Sequence, residues 1–522
     1  MKKLFYFLLV SFIAVGISSC GDDEPAVDGP EVSNPSAAAA QIDTEITIDF
    51  LYDAPAGFAS SRIVSNTGGV ATITTDGEAG ATDGTIVVTF AADEVAGAGS
   101  VVLEVTDENG ETDDATAVVT ITEAAVAPVV SVRGEISGTV NWTKDNVYLL
   151  ETRVTVLDEA VLNIEAGTVI KGATGQGAAS TALLVARGGT LNVSGTATAP
   201  VIFTSEQDDI TPAMVASGNF RSPNLEPSQA GLWGGVIILG KAPISVTNKE
   251  ELAGIDNSES QIEGIPVTDA NGRYGGSETD DNSGTITYMS IRHGGTNIGA
   301  GNEINGLTLG GVGSGTTIQW VEVVANDDDG IEWFGGTVDV SGVLVWNSND
   351  DALDTDQDWT GTCDNFIVVT PNGGSAFELD GPEGATSTGL VNKFNNGIVY
   401  AGENIDHLVD WDGSTNTELT NIYFYGWSEE YGFIQDEDPE EDGDQNFNPI
   451  ESFGGDQVGA SGNWQYTLTA NGAPASEIFA GVPDEALTSV VANANTVGVV
   501  AVTGFGWTWA AQAGGLSAIG IQ

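Results

Sequence analysis

Carboxylates recur in phase between residues 328 and 378. Asp328-Asp329-Gly330-Ile331-Glu332 returns 22 positions later as Asp350-Asp351-Ala352-Leu353-Asp354, and a looser third copy runs from Asn372 to Glu378. Acids gathered in this way have two chemistries open to them. They can supply oxygen ligands to a hard cation such as calcium, which takes about six to eight. They can also act as the acid and base of a glycosidase. Asp354-Thr355-Asp356-Gln357-Asp358 adds a carboxylate at every second position. The candidate calcium ligands are therefore Asp328, Asp329, Glu332, Asp350, Asp351, Asp354, Asp356 and Asp358; in a catalytic chain, Glu332, Asp354 and Glu378 would carry the reaction. Trp346, Trp359, Trp411 and Trp427 lie close to these acids in sequence and are candidate platforms for a sugar ring. No EF-hand is present: Trp359 stands where its glycine belongs and Asn365 where its closing glutamate belongs. The acidic run 436–444 begins like a calcium loop at Asp438, but Pro449 occupies the closing position.

The elements that carry these acids repeat as well. Ile318-Gln319-Trp320-Val321-Glu322-Val323-Val324 is followed 22 residues on by Val340-Ser341-Gly342-Val343-Leu344-Val345-Trp346, and then by Phe366-Ile367-Val368-Val369. A period in the low twenties, built from short strands and Gly/Asn/Asp corners, predicts a parallel β-solenoid whose turns bury their inner faces against one another. The strand period of two sends Ile331, Leu353 and Phe377 inward and Glu332, Asp354 and Glu378 outward. Three carboxylates are thus expected in one solvent-facing ladder, about 4.8 Å apart. Like charges at that spacing call for a cation or raised pKa values.

Upstream, the brief strands at 146–150, 154–156, 162–164, 167–172, 182–185, 191–193 and 201–204, separated by Gly corners, continue the pattern. Together with the later repeats, residues 133–427 resemble the right-handed parallel β-helix group of pectate lyases, polygalacturonases and many bacterial surface proteins. That resemblance implies a fold and transfers no activity. The run Gly306-Leu307-Thr308-Leu309-Gly310-Gly311-Val312-Gly313-Ser314-Gly315-Thr316, followed by the acidic rungs, is similar to a family of Bacteroidota surface lipoproteins with a pectin-lyase-like helix. The Gly-His-Gly and Arg-x-Lys elements of polygalacturonases are absent, and only 14 Lys and Arg serve the whole chain, which weighs against catalysis. The glycines at 310, 311, 313 and 315 precede a strand rather than a helix, so they read as corners and not as a phosphate cradle. His293 reads as a structural corner residue; His407, between Asp406 and Asp410, has no nucleophile nearby in sequence.

Composition frames the rest. With 522 residues, 69 Gly, 7% aromatic residues and a formal charge of −61, the chain exceeds one compact core, and its acidity excludes nucleic-acid binding. Lys2 and Lys3, the apolar run Leu4–Ile17 and Ser18-Ser19-Cys20 have the three-part layout of a secretory signal. They resemble a bacterial lipobox, by which Cys20 becomes the acylated anchor in outer-membrane lipid. The following Gly21-Asp22-Asp23-Glu24 is similar to the export tag of lipoproteins facing the cell exterior. With Cys20 acylated, Cys363 has no disulfide partner and reads as a core filler.

The expected organisation is all-β: signal peptide 1–19, tether 20–40, immunoglobulin-like sandwich 41–123, linker 124–132, right-handed parallel β-helix 133–451 and a C-terminal cap 452–522 over the open end of the solenoid. The turn at Glu108-Asn109-Gly110 is a hairpin signal within the sandwich. The function expected is that of a surface lipoprotein whose calcium-stabilised helix binds extracellular glycan or mediates adhesion. The alternative is a polysaccharide-degrading enzyme using the stacked carboxylates.

Overall fold

The computed structural model describes residues 27–522, apart from 43, 124–125, 249–251, 253–254, 298–303, 386, 412–414, 427–461, 469–474, 476–478, 480–481, 483–485, 500–501 and 522. The signal segment, Cys20, the acidic run 436–444 and Trp427 therefore lie outside the described residues. The chain divides into two compact units between Ala125 and Val126.

The described residues of the first unit form eight strands: β1 (Glu31–Val32), β2 (Ala38–Gln41), β3 (Glu45–Asp53), β4 (Phe58–Thr67), β5 (Gly69–Thr75), β6 (Asp83–Ala92), β7 (Gly97–Asp107) and β8 (Thr112–Thr122). They form two four-stranded sheets, in the orders β1-β3-β6-β5 and β2-β8-β7-β4. Alternation along β3, β6, β7 and β8 turns Ile48, Phe50, Val88, Phe90, Leu103, Val105, Val119 and Ile121 into one shared core. The β7–β8 hairpin closes at 108–110, where the Asp107 carboxylate accepts from the amides of Asn109 and Glu111 at 3.0 and 2.8 Å.

Among the described residues of the second unit, 22 strands are hydrogen-bonded into one continuous order with parallel neighbours, the all-β stack of a parallel β-helix. Each coil has three faces. One is built from segments such as 317–319, 340–341 and 362–364; the second from 321–324, 343–346, 366–369 and 397–400; the third from 307–310, 331–334, 353–356 and 378–379. Inward residues make one long core, in which Trp333 and Trp359 stack at 4.7 Å and Phe366, Phe377 and Phe394 meet edge to face. Cys363 is buried within it, as expected.

From Tyr288 onward, the chain turns between the first and second faces through a left-handed residue on successive coils. Late in the stack these are Asn396, Asn421 and Asn463, with φ of 59°, 57° and 51°. Asparagine tolerates that region, and its amide joins the column: Asn421 donates to Asn396 at 3.2 Å and Asn463 to Asn421 at 2.7 Å. Earlier in the stack the same corner holds Tyr288 and Trp320, at φ of 50° and 60°, with rings stacked 5.7 Å apart.

The tail divides its work. Trp464–Thr467 and Leu487–Ser489 add parallel strands to the second face, extending the stack. Residues 502–521 do something the sequence pattern did not predict: they cover that face from the side. Its outward column, Leu344, Ile367, Ile398 and Tyr423, is apolar and packs against Phe505, Ala510, Leu516 and Ile521. An apolar outer face must be covered, so this part of the tail is a lateral cover rather than a cap.

Candidate functional site

The third face places the acids. Parallel pairing sets Thr308 beside Glu332, Glu332 beside Asp354, Asp354 beside Glu378, and Glu378 beside Asp410. Ile331, Leu353 and Phe377 point into the core, so the carboxylates take the outward positions that alternation requires. The expected ladder therefore forms, register included. Its expected exposure to solvent does not hold: Glu332 and Asp354 are only 6% and 5% exposed, and Glu378 is half-buried.

The cause of that burial is the excursion 240–283 between two strands of the stack. Ile244, Val246, Ile262, Ile265 and Tyr274 from this segment fold down onto Leu184, Ile237, Leu239 and Phe334 of the third face. The excursion thus seals the apolar start of the face and roofs the acids where they begin. Its docking is fixed by Tyr274, whose hydroxyl donates to Gln357 Oε1 at 2.9 Å. Beside the ladder remains a cavity of about 540 Å³ lined by Ile262, Glu263, Tyr274, Phe334, Gln357 and Glu383 among others.

Burial controls the electrostatics. Desolvation, reinforced by Asp329, Asp356 and Glu263, holds the Glu332 carboxyl well above the usual carboxylate range. Asp354 is raised by burial and then by Glu378 and Glu332. Asp329 is raised by burial and then by Asp351 and Asp328. Glu378 is pushed up to about 12, by burial and by a hydrogen bond with Asp351. The carboxylate oxygens of Asp329, Glu332 and Asp354 lie within 4.8 Å of one another, and a second trio, Asp328, Asp329 and Asp350, shares Asp329 at the outer corner.

These acids converge further through the backbone. Asp329 Oδ1 accepts from the Asp351 amide at 2.9 Å, and the Asp351 carboxylate accepts from the Ser375 amide on the next coil. Asn305 donates its amide to Glu332, while its own Oδ1 and Asp354 Oδ1 are buried with no hydrogen-bond partner. Unpartnered acceptors among buried acids are the donor set that a hard cation takes, so these residues fit calcium.

Three of the other sequence candidates serve packing instead. Asp358 accepts from the Thr388 amide at 2.6 Å and from Ser387, tying down the loop that follows rather than joining the cluster. Trp359 is a core residue: it stacks on Trp333 and donates to the Val338 carbonyl at 3.1 Å. Trp346 lies beneath Trp509 and is covered by the tail. Inward alternation closes the Trp359 ring to a sugar, and the lateral cover leaves Trp346 half-buried. Trp411 pairs with Leu379 through the backbone, and its side chain lies outside the described residues, as does that of His407. Asp356 sits beside Phe334 on the outward side and joins the electrostatics of Glu332 and Asp354.

His293 is structural, as expected: its Nδ1–H donates to the Gln229 carbonyl, and burial lowers it to about 4. Sequence reasoning missed Asn305, Gln357 and the whole roof. A signal existed in the roof, since Ile244, Val246, Ile262 and Ile265 are apolar residues in a stretch with no repeat of its own.

A family model described as a pectate-lyase like beta helix domain matches residues 134–452. Among solved structures, the chain is similar to the family 28 exopolygalacturonase of Yersinia enterocolitica, at 10% identity, covering 78% of this chain and 81% of that one, with a TM-score of 0.21. No curated protein matches the chain.

Proposed function

The chain belongs to the pectate-lyase-like beta helix family, and from that premise we propose a cell-surface lipoprotein whose calcium-stabilised helix binds extracellular glycan. One observation carries the reading: the buried oxygens of Asp329, Glu332 and Asp354 lie within 4.8 Å of one another, with Asp354 Oδ1 unpartnered. Burying three mutually repelling acids is strongly unfavourable unless they are protonated or neutralised by a cation. Calcium bound there by Asp329, Glu332, Asp354 and Asn305 Oδ1, with Asp328 and Asp350 at the outer corner, would lock successive coils together. The adjoining cavity, with Tyr274 and Phe334 beside Glu263 and Glu383, offers rings and acceptors to a carbohydrate.

Around this helix, the strand orders 1-3-6-5 and 2-8-7-4 support an immunoglobulin-like reading of the first unit, which acts as a spacer. Cys20 supplies the acyl anchor in the outer membrane, with the acidic residues after it directing the protein to the exterior.

Calcium is expected to raise the melting temperature and a chelator to reverse the rise; an unchanged value removes the metal. Glycan-array binding with and without chelator tests the ligand class, and fatty-acid labelling lost in Cys20→Ser tests the anchor. One observation favours the second reading, polysaccharide cleavage: burial raises the Glu378 carboxyl, which stands beside Asp354 and Asp410 in register, and a raised carboxyl next to a second acid is the pairing that glycosidases use. Release of reducing ends, abolished by Glu332→Gln or Asp354→Asn, would establish catalysis in place of binding.

A further inference from the structure

The C-terminal segment 502–521 is held against the second face by an unusual seat. Phe505, Trp507 and Trp509 are all buried there. Trp507 meets Tyr288 edge-on at 5.5 Å, Phe505 meets Trp320 at 5.4 Å, and Trp509 meets Trp346 at 6.2 Å. Gln512 hydrogen-bonds both the Phe220 amide, at 2.7 Å, and the Gly218 carbonyl, at 2.9 Å, clasping the loop on the far side.

Beneath Trp509 lie polar groups. Arg292 stands 5.0 Å below the ring and 3.5 Å from Glu322, and the other Glu322 oxygen accepts from the Ala510 amide at 3.1 Å. His293 meets the same ring edge-on at 5.4 Å.

The closed seat leaves polar atoms without partners. His293 Nε2 and Trp507 Nε1 are buried and make no hydrogen bond. With Nδ1–H given to Gln229, Nε2 is a bare lone pair. A proton placed on it would be a second buried cation next to Arg292, with no acceptor. The charged groups that face His293 are Arg292 on its own strand and Asp208 on the loop; Asp208 is already engaged by Thr204, Ser222 and the Ile210 amide. Glu322 is committed to Arg292, Ser290 and Ala510.

We propose that residues 502–521 form an acid-released strap: protonation of His293 at Nε2 unseats Trp509 and lets the segment lift, uncovering the corner rings Tyr288 and Trp320 and the neighbouring Trp346. The sign follows from linkage. Burial in the closed seat lowers His293 from its ordinary value of 6.5 to about 4, so closure is favoured above 6.5 and weakens as pH falls toward 4. Full exposure of the ring on opening would raise the open-to-closed ratio at pH 4.5 about 75-fold over its value at pH 8.

The experiment is hydrogen exchange on the full chain from pH 8 to pH 4.5, corrected for the intrinsic rate, with calcium held saturating so that the acid ladder does not change state. Peptides from 502–521 are expected to lose protection on acidification while peptides from 343–369 keep theirs. His293→Gln is expected to abolish the pH dependence, and Trp509→Ala to leave the strap unprotected at pH 8 with the stack intact. Protection of 502–521 unchanged at pH 4.5, its loss together with the stack, or a pH dependence that persists in His293→Gln would each overturn the proposal. Should His293→Gln fail to fold, a protected strap in Trp509→Ala at pH 8 overturns it equally.

Discussion

On the second face of the stack, Arg292 and Glu322 are both fully buried, 3.5 Å apart, and joined by Ser290, the Phe220 carbonyl and the Ala510 amide. On the third face, Asp329, Glu332 and Asp354 are buried too, at 7%, 6% and 5% exposed, and among the described residues no salt bridge reaches them. Both clusters stand at outward positions that another piece of chain covers, the strap in one case and the excursion 240–283 in the other. The first is electrically complete within the protein. The second is not, and that difference separates a structural staple from a site that calls for something from outside.

Breaking the complete pair should produce the largest effect. Arg292→Leu leaves Glu322 buried and alone, and urea unfolding is expected to show a loss of about 3–5 kcal/mol. Replacing both partners by Leu should recover most of it; equal losses in single and double variants would mean that the pair contributes only packing.

The incomplete cluster should respond to its surroundings instead. Glu332, Asp354 and Asp329 are raised above their unfolded values, so without metal the folded state holds protons that the unfolded chain releases from about pH 4 upward. Stability of the metal-free protein is therefore present at low pH and lost as pH rises, and its melting temperature should be higher at pH 5 than at pH 8. Saturating calcium should reverse that order. A metal-free protein more stable at pH 8 would contradict the burial argument.

A smaller effect tests the amide. Asn305→Leu removes one oxygen and leaves the acids, so calcium affinity measured by titration calorimetry should fall about tenfold. The smallest effect is expected where a pair of opposite charges is left wet. Lys393 and Glu418, 2.8 Å apart and part-exposed, should contribute under ~1 kcal/mol when Lys393→Ala is unfolded in urea. A loss matching that of Arg292→Leu would mean that burial is not what distinguishes the two faces.

The 22-residue spacing was enough to set the register of the ladder, because parallel pairing keeps equivalent positions of successive coils side by side and alternation decides which side chain faces in. Glu332, Asp354 and Glu378 stack for that reason, and Ile331, Leu353 and Phe377 are core for the same one. Trp359 misled because proximity in sequence to an acid says nothing about side: it faces inward and belongs to Trp333. The runs Val343-Leu344-Val345 and Ile367-Val368-Val369 did carry a warning, since an uninterrupted apolar strand is buried on both faces.

The sequence by itself thus determined the repeating coil, its inward residues and the order of its acids, all consequences of local periodicity. Only the tertiary structure decided which outward columns meet water. The excursion 240–283 and the segment 502–521 have no period and lie far along the chain from parts of the faces they cover; their docking depends on apolar area matched across long separations. That match converts an exposed ladder of acids into a buried one, and with it ordinary carboxylates into groups that must hold a proton or a cation.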